Sequence, residues 1–334
     1  MNFKLFALLF ILFLFLFSAC EQDYWEDSIS LNEESTFGIR HDRSLSDYEA
    51  AAVNTSLGPN FEAVFAFQYT IGSNTDEEII ASGALIAPQW ILTAGHNFFI
   101  SEEQTTPVNP ADINVIVGND PNNPEAILEV EALYFHPTWL SDNDEVFGKA
   151  NDLCLLKLKS ALTNIKPIAL FDHSSEAIGS QVWFSGYGDY SLLEGQNSDR
   201  YSKRHAIENI LDRKVGGIMS RINNQIYEGG LLAFDFDHPN GGVNTLGDNI
   251  VNEDEDLLGP GRSEAVALNL EATTVEGDSG GPLFVKDGEH WKLAGVLSGG
   301  ATEPIPNHED SSYGDISIFI RVSSHLDWIR SVMR

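Results

Sequence analysis

The chain has 334 residues, 43% of them hydrophobic and 13 of them proline, a composition that can bury a sizeable core and argues against a disordered protein. Acids outnumber bases 50 to 19, giving a formal net charge of −31, which excludes nucleic acid as a partner because phosphate binding needs clustered Lys and Arg. Such a charge keeps a protein soluble, repels anionic surfaces and suits salty surroundings.

The first element is MNFKLFALLFILFLFLFSAC, with one Lys, an apolar run from Leu5 to Phe17 and small residues before Cys20. The run is short for a bilayer span and has the proportions of an export-signal core. Phe17-Ser18-Ala19-Cys20 resembles the lipobox of bacterial lipoproteins, with Phe17 where Leu is usual. That resemblance implies removal of residues 1–19, a lipid on Cys20 and attachment to the bacterial cell envelope, at its surface or released from it. Residues 20–60 are acidic and polar and read as a tether and lead-in.

From Phe61 to about residue 170, short β-rich runs alternate with turns: FEAVFAFQYT, EIIASGALIAP, QWILTAGH, INVIVG, AILEVEALYF and LCLLKLKS. Six runs in this span predict a closed antiparallel barrel, which leaves no exposed edge. Cys154, inside the last run, reads as a small buried hydrophobe. Residues 171–334 carry further strands in QVWFSGYG, GPLFVKD, HWKLAGVLSG and ISIFIRV. Between the first two of these, about 191–262 reads as strands with a long surface insertion, where RHAIENILDRKV fits a helix or an irregular strand. SSHLDWIRSVMR predicts a terminal helix with a capping serine and Leu326, Ile329 and Val332 on one face.

Three stretches carry chemistry. A serine hydroxyl is a poor nucleophile at neutral pH and needs a base together with a group that orients the base. Ser279 lies in EGDSGGPLFV, among Gly277, Gly280 and Gly281; His96 ends the strand-like WILTAGH; Asp152 opens the strand-like NDLCLLKL. Taken together, in the order His, Asp, Ser, they resemble the chymotrypsin-like, or trypsin-fold, serine peptidases. Residues 82–96 are similar to that family's histidine region, with Gly95 where Ala is usual, and GDSGGP at 277–282 matches its nucleophile loop throughout.

The resemblance implies an all-β fold of two antiparallel Greek-key barrels with the active site between them and a C-terminal helix. It implies a serine endopeptidase acting on protein or peptide substrates through an acyl-enzyme, with no cofactor. Ser279 would attack the carbonyl, His96 would carry the proton, and Asp152 would orient His96. Gly277 and Ser279 would supply the oxyanion-hole N–H groups. Asp278 would be the inward-facing acid, held by a cation, that locks the loop. The family's mature amino terminus Ile-Val-Gly-Gly is absent, and TFGIRHDRS offers Ile39, as a new terminus, or Arg40 or His41 as the cation. Cutting before Ile39 would sever the tether. Thr273 falls at the base of the specificity pocket, and Ser298, Gly299, Gly300 and Ser317 at its walls, which implies an uncharged residue before the cut. The acidic VNEDEDLL, with Asp235 and Asp237 upstream, lacks a defined ligand spacing, so no metal is assigned. A catalytically silent binding module and an esterase are the rival readings.

Overall fold

The first barrel begins where the apolar runs begin. In the computed structural model, which describes residues 37–70, 78–99, 106–139, 150–190, 202–247, 257–301 and 310–334, strands β1 (Val64–Thr70) to β6 (Cys154–Leu158) close in the order β1-β2-β3-β6-β5-β4. The other members are β2 (Glu78–Ala87), β3 (Trp90–Thr93), β4 (Asn114–Val117) and β5 (Ala126–Phe135). All pairings are antiparallel, with Val64 opposite Ala84 and Leu92 opposite Leu155. Val64, Phe65, Ala66 and Phe67 are all fully buried, so both faces of β1 are covered. The outer cover comes from the second sheet: Phe61, leading into β1, meets the rings of Trp183 and Phe284 edge-on at 5.9 and 5.5 Å. Cys154 is buried, and burial pushes its thiol pKa well up, which suits a packing role.

The second half forms a seven-stranded antiparallel sheet in the order β8-β7-β11-β12-β13-β10-β9. Its strands are β7 (Gln181–Gly186), β8 (His205–Ile210), β9 (Arg213–Ile222), β10 (Gln225–Asp235), β11 (Pro282–Asp287), β12 (His290–Ala301) and β13 (Ile316–Arg321). The edge strands β8 and β9 are joined by Leu211 and Asp212 alone, so the sheet must curl until its two edges meet at that corner. Hydrogen bonds close the first barrel; chain connectivity brings the second round. Its interior is aromatic, with Phe319 against Phe184 and Phe234 at 5.8 and 5.2 Å, each ring contributing about 1.5–3 kcal/mol by burial.

Two expectations change here, and one open reading resolves. Within 191–262, read as strands with an insertion, RHAIENILDRKV takes the strand alternative and forms β8 and the start of β9, with Ala206 and Ile207 buried side by side. The lead-in is folded from residue 37 onward and includes helix α1 (Leu45–Ala52), whose Tyr48 is buried and donates to the Glu271 carbonyl at 3.0 Å. The terminal helix α2 (Leu326–Val332) has His325, not a serine, at its N-cap position and no side-chain cap, because the serines lie in the preceding 3-10 turn Val322–Ser324, where Ser323 donates to Glu176, and His325 Nε2 bonds the Ala150 carbonyl.

Among the described residues no helix is long and apolar enough to cross a membrane. The expected export signal, Cys20 and the acidic residues 251–256 lie outside the described residues.

Candidate active site

His96 stands at the end of β3, where the chain leaves the barrel and turns through the 3-10 segment His96–Phe98. Asp152 lies just before β6, the strand paired with β3, so barrel register brings the two together. The carboxylate grips the histidine at two points: Oδ2 takes Nδ1 at 2.6 Å and Oδ1 takes the main-chain N–H at 2.9 Å. A third bond, from Ser298 Oγ at 2.7 Å, completes the cage around a fully buried acid. Gly95 has a physical reason here, since a Cβ would fall 2.9 Å from the Trp139 ring and 3.1 Å from Asp152 Oδ1.

The His96 side chain remains 30% exposed, unlike its partner. Burial pulls its pKa down, but the charge and hydrogen bond of Asp152 outweigh that and hold it above the ordinary histidine value. The Nδ1 contact leaves the other ring nitrogen for proton traffic.

Ser279 is carried by the loop before β11, on the second sheet, yet the loop is stapled to the first barrel. Its carbonyl accepts from the Ser82 N–H at 2.8 Å and from Asn97 Nδ2 at 3.0 Å, Asn97 being the residue after His96. Ser82 Oγ donates to the Gly277 carbonyl at 2.9 Å and accepts from the Tyr187 N–H at 3.0 Å. Gly277 and Gly280 sit at φ +93° and +84°, where a side chain is strained, and at Gly280 a Cβ would lie 2.1 Å from Thr93 Oγ1. These bonds engage the carbonyls of the loop. Among the described residues, neither the Gly277 N–H nor the Ser279 N–H is paired, the arrangement an oxyanion-binding pair requires.

Asp278, between them, points away from the cavity into the second sheet and is fully buried. Oδ1 accepts from Gly188 N–H at 2.8 Å; Oδ2 accepts from Val275 N–H at 3.0 Å and Tyr190 OH at 3.2 Å. Burial, then the nearby Asp278 charge, push the Tyr190 hydroxyl well above its ordinary pKa, so it stays a donor. Gly186 and Gly188 make room: a Cβ would fall 2.2 Å from Oδ1 at the first and 2.5 Å from Cγ at the second. His205 Nε2 lies 3.0 Å from Oδ1, close enough for an ion pair but out of line for a hydrogen bond.

The cations expected for Asp278 are elsewhere. Ile39 is bridged to Ala272 within a continuous chain, Arg40 is paired with Asp42 at 2.7 Å, and His41 bonds Tyr313 OH at 2.8 Å. Short-range pairing with neighbours in their own segment and with residues behind the loop holds them away from Asp278.

A cavity of about 390 Å³ opens beside Ser279, lined by Thr273, Leu297, Gly299 and Gly300 as well as Asp189, Glu276, Asp310 and Asp315. Thr273 and Gly300, expected at a specificity pocket, are among the residues that line this cavity. Ser298 and Ser317 do not line it. A register shift in β12 between Leu297 and Gly299 accompanies the turning of Ser298 toward Asp152, and Ser317 is buried behind the wall, accepting from Thr274 N–H at 3.2 Å.

Sequence reasoning missed Ser82, Asn97, Tyr190 and His205. Ser82 opens the histidine region at 82–96 and Asn97 follows it, so both could have been suspected from their places; nothing local marks Tyr190 or His205.

The family described as Trypsin matches residues 60–229 and 263–329, more than half of the chain. Among curated proteins, human transmembrane protease serine 5 is 25% identical over 74% of this chain and 45% of its own length, so this chain spans under half of that relative. Mouse tryptase is 27% identical over 74% of this chain and 76% of its own. Mouse serine protease 28 is 29% identical over 75% and 76%. Among solved structures, a scabies mite inactivated protease paralogue aligns at a TM-score of 0.48 and 17% identity, over 81% of this chain and 95% of that one. With a family match of this extent laid over the His96–Asp152 pair and the GDSGGP loop, this chain belongs to the trypsin family.

Proposed function

We propose that this protein is a serine endopeptidase that cuts protein or peptide substrates through an acyl-enzyme. The observation that carries the reading is the two-point grip of Asp152 on His96, beside a loop that leaves the N–H groups of Gly277 and Ser279 available. Ser279 Oγ attacks the carbonyl carbon while His96 Nε2 takes its proton. The oxyanion is received by the two loop N–H groups, and His96 returns the proton to the leaving amine. Water repeats the sequence to free the acid and regenerate Ser279.

For the residue before the cut, the expectation of an uncharged side chain rested on Thr273. The lining adds four acids, Asp189, Glu276, Asp310 and Asp315, and among the described residues no Lys or Arg. The pocket therefore favours a neutral or basic residue over an acidic one. We also propose export with a lipid on Cys20, on the strength of the lipobox-like Phe17-Ser18-Ala19-Cys20. Loss of acyl labelling in Cys20→Ala tests that tether.

A fluorophosphonate probe should label the protein and fail to label Ser279→Ala. Cleavage of a denatured protein should accompany labelling, and a peptide library should show acidic residues disfavoured before the cut. Labelling absent from the wild type would mean a silent binding module. Turnover of p-nitrophenyl esters alone would mean an esterase.

A further inference from the structure

We propose that His205 is the residue that holds Asp278, and with it the nucleophile loop, in the intact chain, so that no new amino terminus at Ile39 is needed. This rests on the peptidase reading above. A carboxylate at zero exposure must have donors, and a charge beside it, to be tolerated. Asp278 has three donors, from Gly188, Val275 and Tyr190. Among the described residues, the side chain able to carry positive charge within ion-pair reach is His205, at 3.0 Å and itself 1% exposed.

The pair is built into the sheet. His205 is the first residue of β8 and stands opposite Gly186 of β7, the glycine whose missing Cβ makes space for Asp278 Oδ1. The Tyr190 ring packs edge-on against the His205 ring at 4.5 Å, and its hydroxyl reaches both Asp278 and the Thr273 carbonyl. The Nε2–Oδ1 separation is already that of a hydrogen bond, so reorientation of the ring is what a His205 Nε2–H bond to Oδ1 requires.

The lead-in passes on the other side of Tyr190. At Gly38, φ +86°, a Cβ would lie 2.7 Å from Val275 Cγ1 and 2.9 Å from Tyr190 Cε1. Its carbonyl takes the Thr273 N–H at 2.9 Å, its N–H bonds the Ser311 carbonyl at 2.6 Å, and Ile39 bridges Ala272. The uncut segment is thus a structural strap beside the loop. A terminus freed at Ile39 would have to break this bridge and displace Tyr190 to reach Asp278. His205 is a positioning residue: it acts on the oxyanion donors through Asp278 and touches no substrate.

The test uses the full chain, with the 38–39 bond shown intact by mass. Proton NMR should reveal a downfield imidazole N–H of His205 that disappears in Asp278→Asn. The intact chain should be labelled at Ser279 by the fluorophosphonate. His205→Phe, which keeps a ring but no donor or charge, should lower kcat by about 100-fold with KM within about threefold, the scale of losing an oxyanion donor. His205→Gln, which restores a donor, should recover part of the loss. The double variant His205→Phe/Asp278→Asn should be no worse than either single one, since the two changes remove one interaction. Absence of the NMR signal, losses that multiply in the double variant, or an intact chain silent until cut before Ile39 would each overturn the proposal while leaving the peptidase reading standing. A present NMR signal with no Ser279-dependent labelling in cut or uncut protein would instead sink the peptidase reading, and His205 would remain the partner of Asp278.

Discussion

Two histidine–aspartate pairs lie on either side of Ser279, and they differ in exposure. In the first, Asp152 is buried but His96 keeps 30% of its side chain in solvent; in the second, His205 and Asp278 are at 1% and 0%. A partly open imidazole can take a proton from one partner and give it to another. A sealed one can only hold shape. On the proposed reading, the same two residue types serve chemistry on the first barrel and architecture in the second sheet, and solvent exposure divides the duties.

Breaking the first pair should have the largest effect. Asp152→Asn keeps the shape but disturbs the histidine's tautomer, and a loss of roughly 10,000-fold in kcat is expected by the triad template. A loss under tenfold would show that Asp152 is structural. On the second pair, Gly186→Ala pushes a methyl group to 2.2 Å from Asp278 Oδ1 while β7 retains its ordinary backbone. Turnover should drop by about 100-fold, with far-UV circular dichroism unchanged. Ser298→Ala removes one of the bonds to Asp152 and should cost about 1 kcal/mol, or roughly fivefold in kcat.

Acidity sharpens the same contrast. His96 must be neutral to accept a proton, and its raised pKa places the rising limb of kcat/KM above the ordinary value of 6.5. In Asp152→Asn that limb should move down. The sign for stability is the reverse of that for activity: a raised histidine pKa stabilises the fold below 6.5, and the contribution fades as pH climbs through the folded value. A wild-type limb at or below 6.5 would contradict the pairing.

The smallest effect concerns a buried acid pair outside the site. Asp212 and Asp235 meet at the corner joining β8 and β9; burial, then the Asp235 charge, raise Asp212 far above its ordinary 3.8. The folded state holds that proton and the unfolded state releases it, so wild-type stability falls as pH rises. Asp212→Asn supplies an amide N–H to Asp235 without proton uptake. Its Tm should exceed that of the wild type by a few degrees, with the gap widening from pH 5 to pH 8.

How far the sequence carried is clearest at particular residues. The approach of Asp152 to His96 was legible because each sits in a contiguous motif, a strand that stops and a strand that starts, and the loop around Ser279 is marked by its glycines. The first barrel was legible too, since its runs are short, apolar and evenly spaced. By contrast, β8 and β9 were obscured because neither alternates: Ala206 and Ile207 of β8 are buried side by side, while β9 contains Gly216 and Gly217 and leaves them and Met219 exposed. Ser298 was placed on the wrong side of its strand, because a register shift between Leu297 and Gly299 cannot be seen without the partner strand.

By itself, then, the sequence determined the β-rich class, the order of the His96, Asp152 and Ser279 motifs, and the glycines that shape the loop around Ser279. All are local properties, set by propensity, periodicity and backbone freedom. Tertiary structure alone decided that Ser82 and Asn97 staple the loop across the two halves, that Ser298 serves Asp152, and that His205 and not the lead-in meets Asp278. The physical reason is distance along the chain. Asp278 and His205 are far apart in sequence, and only the pairing of β7 with β8 and β11 brings them within 3.0 Å.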